Sequence, residues 1–509
     1  MLRQEAKQTN FYSILYHRVP ENHILKTINS AISLEFINKT LESSYCANFG
    51  RPAKEPEMML RLLILQEMYG LSDERVMTET AVNLAYMWFI GINPDEKLPH
   101  PSLLAKFRTL RLKDVMMDDI ITEIVRQCVV KGIIKEDNGA GIDTTHILAN
   151  TGKLVPERIM KRLAKKIFKA MEKTDYEIPD YNKIEDHKEA KRVMKEYLEG
   201  VIECADERAE KEVEKAKDIL ASPLFIEQRG IRSMVDTDAR VGYKSKTDSF
   251  FGYKMEYALT TDGRLITAVG VHDGAYVDGS DFERILNLTL NSGLNINALY
   301  GDKACFKKDI LDLAKENNAK AYIPVNACTY RINEDLFSYN KDSDEWICKQ
   351  GNRTVSKKVR ISNKKDRGKT TVHEYFFGKE ECISCPFREE CIQKAKTKEK
   401  RLQVGENAGE YYEHNQWAKT EEFLEEYKKR AAIEWKNAEL KRFHGLSRAK
   451  GYGLKSVTLQ AKLAAVAVNL KRIATILSSE NDNILIVLGK FILIIFRNQK
   501  SAVFRQKAA

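Results

Sequence analysis

The sequence predicts a mixed α/β fold preceded by a helical region. Residues 1–135 show apolar positions at helical spacing. After Ser249 the chain alternates, with a strand hairpin followed by helix, strand, helix and strand. Such an alternation predicts a mixed sheet with helices on its faces. A long helical pattern from Asn407 to Leu446 follows, and a further helix begins at Ser456.

Composition limits the class of protein. The 509 residues are too many for one ordinary domain, and a 43% hydrophobic fraction fits a globular protein with buried cores. The formal net charge of +10 is compatible with a nucleic-acid partner, and also with a protein whose lysines happen to outnumber its glutamates. We find no secretory signal, so we expect a cytoplasmic protein.

The most apolar stretch, Ile484–Phe496, is too short to span a membrane. A spanning helix needs roughly 20 residues, and Lys490 interrupts this stretch. We therefore predict a buried strand or a terminal helix here, and no membrane partner.

Three short helices are predicted in the N-terminal region. Pro56 begins the first and Gly70 ends it, Ser72 is placed to cap the second, and Pro101 opens the third. The third helix is basic and carries Lys106, Arg108 and Arg111. A basic last helix in such a group predicts DNA contact. The alternative is a helical packing domain with a solvated basic face.

The patterns divide the chain into five parts. Residues 153–229 are rich in Lys and Glu at helical spacing, which predicts a helical insertion, with or without a functional contact. The predicted organisation is a helical N-terminal domain (1–135), an α/β core (136–152, 230–325 and 407–478), the helical insertion (153–229), a Cys-rich insertion (326–406) and a C-terminal tail (479–509).

Three carboxylates are the candidate catalytic residues. Asp143 lies within a β-branched strand, Asp302 ends another strand, and Glu434 lies on a predicted helix. Tyr427, Arg430 and Lys441 stand at −7, −4 and +7 from Glu434, which places all four on one helical stripe. A carboxylate suits a metal ion and the two cations suit phosphate oxygens, while the aromatic ring can stack on a base.

Each acidic residue has a simpler explanation, because most Asp residues lie on surfaces or cap helices, and a charged helical stripe is often only a salt-bridged face. A competing pair, Asp236 and Asp238, precedes the strand hairpin. We interpret that pair as a turn and favour Asp143.

The spacing Tyr427-x2-Arg430-x3-Glu434-x6-Lys441 resembles the Y-R-E-K signature of bacterial insertion-sequence transposases of the DDE type. IDTTHILAN around Asp143 and YGDKACFKKD around Asp302 resemble the family's two Asp-bearing strands. The resemblance extends over about residues 40–475. Two departures are Thr144, where the family often has Gly, and the pair Ala304-Cys305, where it often has Gly and an aromatic residue.

This resemblance implies an RNase H-like catalytic core with Asp143 on its first strand, Asp302 on its fourth and Glu434 on a later helix. It also implies two Mg²⁺ or Mn²⁺ ions on the three carboxylates, with phosphate contacts from Arg430 and Lys441 and a base contact from Tyr427. The partners would be double-stranded DNA, both transposon ends and target, and further copies of the chain in a dimer or larger complex at the bacterial nucleoid.

Two other functions share these features. One is a DNA-binding protein that kept the fold but lost catalysis, against which the complete set of candidate residues argues. The other is a nuclease of the same fold without strand joining, which would need the same metal site.

A group of cysteines suggests a second metal site. Cys382-x2-Cys385 is followed by Cys391, and Cys348 lies upstream. Four thiolates suit a tetrahedral structural zinc ion, with His373 as an alternative ligand. The alternative is a set of free cytosolic thiols that pack a small loop domain.

Overall fold

The computed structural model describes residues 12–46, 53–112, 114–222, 224–225, 230–245, 247–364, 368–392 and 398–479. The chain forms two compact units. The first comprises Met1–Asn295 with Ala432–Ala509, and the second comprises Ile296–Ala431. The apolar stretch Ile484–Phe496 lies outside the described residues.

The N-terminal region of the first unit is helical, as predicted. Pro56 begins one of its helices, and Gly70 ends that helix in the left-handed conformation at φ +65°. The Ser72 side chain accepts a hydrogen bond from the Arg75 N–H and caps the next helix. The helices are α1 (Tyr12–Tyr16), α2 (Ile24–Ala31), α3 (Phe36–Leu41), α4 (Pro56–Tyr69), α5 (Asp73–Thr80), α6 (Leu84–Ile90), α7 (Ser102–Lys106), which continues as a π-helical turn (Phe107–Arg111), and α8 (Asp114–Val130).

Four strands of the first unit pair antiparallel. They are β1 (Asp137–Leu148), β2 (Arg240–Tyr243), β3 (Ser249–Thr260) and β4 (Ile266–Asp273). Strand β3 pairs with each of the other three, and Asp143 of β1 lies opposite Tyr257 of β3. The predicted β3–β4 hairpin is confirmed. The first residue of the next strand, Asn295, donates its backbone N–H to the Glu136 carbonyl.

The Lys- and Glu-rich stretch forms three helices with an apolar core of their own. Ile159, Leu163 and Ile167 follow one face of the first helix and are fully buried there, since leucine and isoleucine at i, i+4 and i+8 share a stripe. The helices are α9 (Pro156–Ala170), α10 (His187–Glu203) and α11 (Glu210–Ala221).

A central helix follows the sheet in the first unit. Residues 454–479 are helical, and every residue from 460 to 470 is buried. Its Asn469 side chain bonds both the N–H and the carbonyl of Ile266 at the start of β4, at 2.8 and 2.7 Å. Its Lys462, 1% exposed, forms an ion pair of 2.7 Å with Asp118 of α8.

Helices α12 (Phe282–Asn291) and α18 (Ala431–Phe443) also belong to the first unit. Helix α18 packs directly on β1 at Gly141. A Cβ at Gly141 would stand 2.5 Å from Ile433 Cδ1, so glycine is the residue that allows this approach.

The second unit contains a parallel pair of strands, two small antiparallel sheets and short helices. The strands are β5 (Asn295–Tyr300), parallel to β6 (Lys320–Tyr322); β7 (Phe337–Asn340) with β8 (Glu345–Cys348); and β9 (Thr354–Lys364), β10 (Gly368–Phe377) and β11 (Arg401–Gly405). The helices are α13 (Lys308–Glu316), α14 (Lys379–Ile383), α15 (Arg388–Cys391), α16 (Ala408–Ala418) and α17 (Glu421–Tyr427).

The mixed α/β class with a helical N-terminal region is thus confirmed. The long helical pattern from Asn407 to Leu446 is not one helix, because it divides into α16, α17 and α18, with a 3-10 turn at Lys428–Arg430 between the last two. No helix in the described part of the chain is long and apolar enough to cross a membrane.

The contact at Gly141 gives a test of this packing. We expect Gly141→Ala to lower the free energy of unfolding by about 1–3 kcal/mol, because the new methyl group meets Ile433. In an Ile433→Val background, which removes Cδ1, the same change should cost less. Urea denaturation of the four proteins measures both values. Equal costs in the two backgrounds would mean that Ile433 does not restrict this position.

Candidate catalytic site

Successive turns of α18 follow β1 within the first unit. Ile433 packs over Gly141, Asn437 contacts Asp143, and Lys441 contacts His146. The spacing explains this order, since residues 433, 437 and 441 are one turn apart on a helix. The helix and the strand therefore run side by side and bring polar side chains from both into one row.

Asp143 is held from α18 and from β3. The Asn437 amide Nδ2 donates to Asp143 Oδ2 at 2.9 Å. The Tyr257 hydroxyl, fully buried, lies 2.9 Å from Asn437 Oδ1 and 3.2 Å from the Ile433 carbonyl oxygen. Asp143 itself is partly exposed, so its carboxylate is supported by the protein while solvent still reaches it.

Lys441 lies in an environment that disfavours its charge. Its Nζ is 3.2 Å from His146 Nδ1. Burial lowers the pKa of Lys441 to about 8, with a further lowering from Lys244, while Asp143 acts in the opposite direction. Burial likewise lowers the pKa of His146 to about 4, so this imidazole is neutral at pH 7. With a pKa of about 8 Lys441 is still mainly charged at pH 7, and an anion beside it would stabilise that charge.

Glu434 lies on the exposed surface of α18. It precedes Asn437 by three residues and Lys441 by seven, so the three share one stripe of the helix. The next residue, Trp435, is 65% exposed, and the Arg264 guanidinium lies 5.1 Å from its ring centre. A carboxylate and an exposed aromatic ring therefore stand together at this end of α18.

Asp302 follows β5 in the second unit and caps a 3-10 turn, Lys303–Cys305. Its Oδ1 accepts hydrogen bonds from the N–H groups of Ala304 at 2.8 Å and Cys305 at 3.2 Å. These two bonds fix the orientation of the carboxylate. Ala304 and Cys305 thus supply the backbone donors for this cap.

Tyr427 and Arg430 also belong to the second unit. Tyr427 stacks on Phe423 at 5.8 Å, beside an aromatic cluster of that unit. Arg430 ends the 3-10 turn that separates α17 from α18. Three residues make one turn of a 3-10 helix, so Tyr427 and Arg430 lie on one face. The uniform α-helical stripe predicted from Tyr427 to Lys441 is therefore interrupted.

The donor chemistry of the candidate carboxylates fits a hard divalent cation. Carboxylate oxygens with solvent access are typical ligands of Mg²⁺, which keeps several waters when bound. Asp143 is partly exposed and Glu434 exposed, both on elements fixed by packing. Among the described residues, no three His, Cys, Asp or Glu side chains form a ready metal-binding group, so the grouping of the three carboxylates stays a prediction.

Two family models match the chain. A model described as Transposase domain (DUF772) matches residues 13–110, and one described as Transposase DDE domain matches residues 347–474. The chain belongs to the insertion-sequence DDE transposases. The second match contains α18 with Glu434 and Lys441, and also the four clustered cysteines.

The other comparisons add little to this assignment. A search of curated proteins found no match. A solved piggyBac transposase synaptic complex with hairpin DNA is similar over 93% of this chain and 77% of that chain, at 10% identity and a TM-score of 0.31. A likeness at that level is too distant to bear on function.

The competing pair Asp236 and Asp238 has structural contacts in the transposase. Asp236 is 1% exposed, and its Oδ1 accepts hydrogen bonds from the Tyr253 hydroxyl and from the Gly453 N–H. Asp238 Oδ2 accepts from the Leu454 N–H at 2.8 Å, the first residue of the central helix. Both acids therefore hold the start of that helix, at a glycine with φ +81°.

Two of the three basic residues predicted to contact DNA make internal contacts. Arg108 donates to Asp73 and to Gln66, and Arg111 donates to the Ser44 carbonyl. These bonds join separate helices of the N-terminal region. Lys106 is exposed and stays the candidate for DNA contact.

The four clustered cysteines line one small cavity of about 30 Å³ in the second unit. Cys348 ends β8, Cys382 lies in α14, Cys385 follows that helix, and Cys391 ends α15. The Lys400 N–H points at Cys382 Sγ at 3.4 Å. Burial raises the pKa of the Cys391 thiol, Lys400 lowers it, and the other three cysteines raise it further. His373 does not line the cavity.

Sequence reasoning missed Asn437, Tyr257, His146 and Lys244. Asn437 lies within the helix that carries Glu434, and its position three residues after that acid was the available signal. His146 lies three residues after Asp143 on the same strand. Neither signal separates a site residue from an ordinary polar residue without the packing of α18 on β1.

The contacts of Asp236 predict a structural role. We expect Asp236→Ala to lower the free energy of unfolding by about 3 kcal/mol, since it removes a buried charged acceptor and leaves the Tyr253 hydroxyl unsatisfied. Asp238→Ala should cost about 1 kcal/mol, as the loss of an exposed cap does. Urea denaturation measures both. A loss of DNA cleavage by Asp238→Ala at unchanged stability would instead assign this pair to the catalytic site.

Proposed function

We propose that the transposase cleaves the ends of its element and joins them to target DNA with divalent metal ions held by Asp143, Asp302 and Glu434. The observation that carries this proposal is the 2.9 Å hydrogen bond from Asn437 to Asp143, which seats the helix of Glu434 beside the strand of Asp143. Asp302 enters through the resemblance of its strand to the second Asp-bearing strand of the family, in an RNase H-like core.

A pair of bound Mg²⁺ or Mn²⁺ ions would lower the pKa of a water molecule that binds the metal, and would neutralise charge on the leaving oxygen. The protein has to orient the carboxylates and place the DNA phosphate. The first requirement is supported by the hydrogen bonds that Asp143 and Asp302 accept, because these bonds orient their carboxylates. Reaction in line at phosphorus then depends on how the DNA is held.

Lys441 is proposed to hold a phosphate of the transposon end, with Lys244 nearby. Its partly desolvated ammonium gains more from a phosphate than a solvated one would, since the interaction is stronger at low dielectric. Arg430 is proposed to bind a second phosphate, and Tyr427 to stack on a base near the cut.

Double-stranded DNA, as transposon end and as target, is the proposed partner. Exposed Lys106 in the N-terminal region would contribute a phosphate contact, which fixes position and carries no sequence information. Pairing of two ends needs at least two active sites, so we propose a dimer or a larger complex. A protein with the same metal site and no joining activity, or one that only binds DNA, is the alternative.

Cleavage and joining assays on the element's terminal repeats test the proposal. We expect Glu434→Gln, Asp143→Asn and Asp302→Asn each to lower the cleavage rate by at least about 10³-fold in Mg²⁺, because a neutral amide holds a divalent cation poorly. DNA binding without metal should be retained.

The matched control is Glu199→Gln, which removes the same charge from exposed α10. It should leave cleavage unchanged. Wild-type rates for Glu434→Gln would remove this residue from the site. Cleavage without joining by the wild type would identify a nuclease, and binding without cleavage would identify a DNA-binding protein.

A structural zinc ion at Cys348, Cys382, Cys385 and Cys391 is also proposed. Support comes from their convergence on one cavity from three segments of the chain. Lys349, Arg388 and Lys400 line the same cavity and would offset the charge of four thiolates. The Lys400 N–H directed at Cys382 Sγ is the kind of bond that a thiolate ligand accepts.

Metal analysis of the purified protein tests the zinc site. We expect about one zinc per chain in the wild type, and its loss in Cys385→Ser together with a lower thermal midpoint, because the ion would cross-link segments that are separate in the chain. Cys204→Ser, at an exposed cysteine of another region, should keep both values. Wild-type protein purified without zinc, and unchanged in stability by added zinc, would show free thiols.

A further inference from the structure

The hydrogen bonds around Asp143 continue beyond Asn437 to a buried tyrosine. Tyr257 lies opposite Asp143 in the β1–β3 pairing, so both side chains leave the same face of the sheet. On that face α18 supplies Asn437, which lies within hydrogen-bond distance of both. One amide therefore links two neighbouring strands and the helix of Glu434.

The chemistry of the groups fixes the direction of these bonds. An ionised carboxylate only accepts hydrogen bonds, so Asn437 must turn its NH2 group to Asp143 and its oxygen to Tyr257. The Tyr257 hydroxyl must then donate to that oxygen at 2.9 Å, sharing its proton with the Ile433 carbonyl oxygen at 3.2 Å. The reversed amide would place two acceptors together at Asp143.

We infer that Asn437 is a positioning residue that orients the Asp143 carboxylate for divalent metal, and that Tyr257 sets the orientation of Asn437. The inference rests on the function proposed above. Asn437 lies one turn after Glu434 on α18, so the same contact that orients Asp143 also fixes the distance between its strand and the helix of the third carboxylate. Partners of this kind determine how well a ligand binds its metal.

Metal affinity measured on the full-length chain without DNA separates positioning from folding. In titrations with Mn²⁺ followed by electron paramagnetic resonance, we expect Asn437→Ala to raise the dissociation constant about 10-fold, the usual scale for loss of such a partner. Tyr257→Phe should raise the dissociation constant less, because the Asn437 amide remains and loses only the contact that sets its orientation. Thermal midpoints are measured on the same samples.

The double variant tests whether Tyr257 acts through Asn437. If it does, Tyr257→Phe adds nothing in the Asn437→Ala background, whereas independent residues would give additive effects. Should Asn437→Ala fail to fold, Asn437→Ser is used, since its short hydroxyl cannot reach Asp143 and Tyr257 together. The same rise in the dissociation constant is expected.

Asn469 provides the matched control. It is also a helical amide packed on the sheet of the first unit, fully buried, and it bonds only the backbone of Ile266 among the contacts described for it. Asn469→Ala should lower the thermal midpoint and leave the Mn²⁺ dissociation constant unchanged. An Asn437→Ala value within about twofold of wild type, or an equal rise in Asn469→Ala, would overturn the inference.

Asp143→Asn distinguishes this inference from the function on which it rests. If Asp143→Asn leaves Mn²⁺ binding unchanged, the proposed metal site is wrong. If Asp143→Asn weakens Mn²⁺ binding and the Asn437 variants do not, only the positioning role of Asn437 is wrong. Parallel weakening in both, with the double variant equal to Asn437→Ala, supports the inference.

Discussion

The contact between Ile433 and Gly141 is the constraint on which the arrangement of the site depends. It sets how closely α18 approaches β1, because any side chain at Gly141 would meet Ile433. At that separation a short amide, Asn437, reaches Asp143, and a long ammonium, Lys441, reaches His146 one turn later. A helix held further away would lose the amide contact first, since asparagine has the shorter reach.

Burial gives the same row of residues its electrostatic character. The lysine at its end is partly desolvated, with its pKa lowered to about 8, and the neighbouring imidazole is neutral. A neutral His146 can accept a hydrogen bond from Lys441 without adding a second charge. One carboxylate, Asp143, and one weakly solvated ammonium, Lys441, thus lie in the same row of side chains, an arrangement that suits a metal ion and a phosphate.

The sequence was sufficient for features with a local cause. The β3–β4 hairpin, the cap at Ser72 and the stop at Gly70 each follow from residues adjacent in the chain. The strand of Asp143 and the helix of Glu434 were predicted in the same way. Contacts between distant segments could not be predicted from the sequence. Nothing in the pattern around Asn437 indicates a partner 294 residues away.

The same limit explains why some residues have contacts that differ from those that the sequence suggests. Arg108 has the sequence context of a DNA-binding side chain, yet it bonds Asp73 and Gln66 on neighbouring helices. Asp236 and Asp238 form an acidic pair like that of a metal site, yet they hold the start of the central helix. Charge alone carries no information on whether the partner is internal, and only packing decides it.

The buried pair of Lys462 and Asp118 has a consequence for exchanging parts between related transposases. Asp118 lies in the last N-terminal helix and Lys462 in the central helix of the core, and their side chains are 11% and 1% exposed, so water can replace little of a lost contact. An N-terminal region transplanted without this acid would remove a carboxylate partner of a buried lysine, at a cost of up to about 3–5 kcal/mol. Combining the N-terminal region of one relative with the core of another therefore requires the two helices to be inherited as a matched pair.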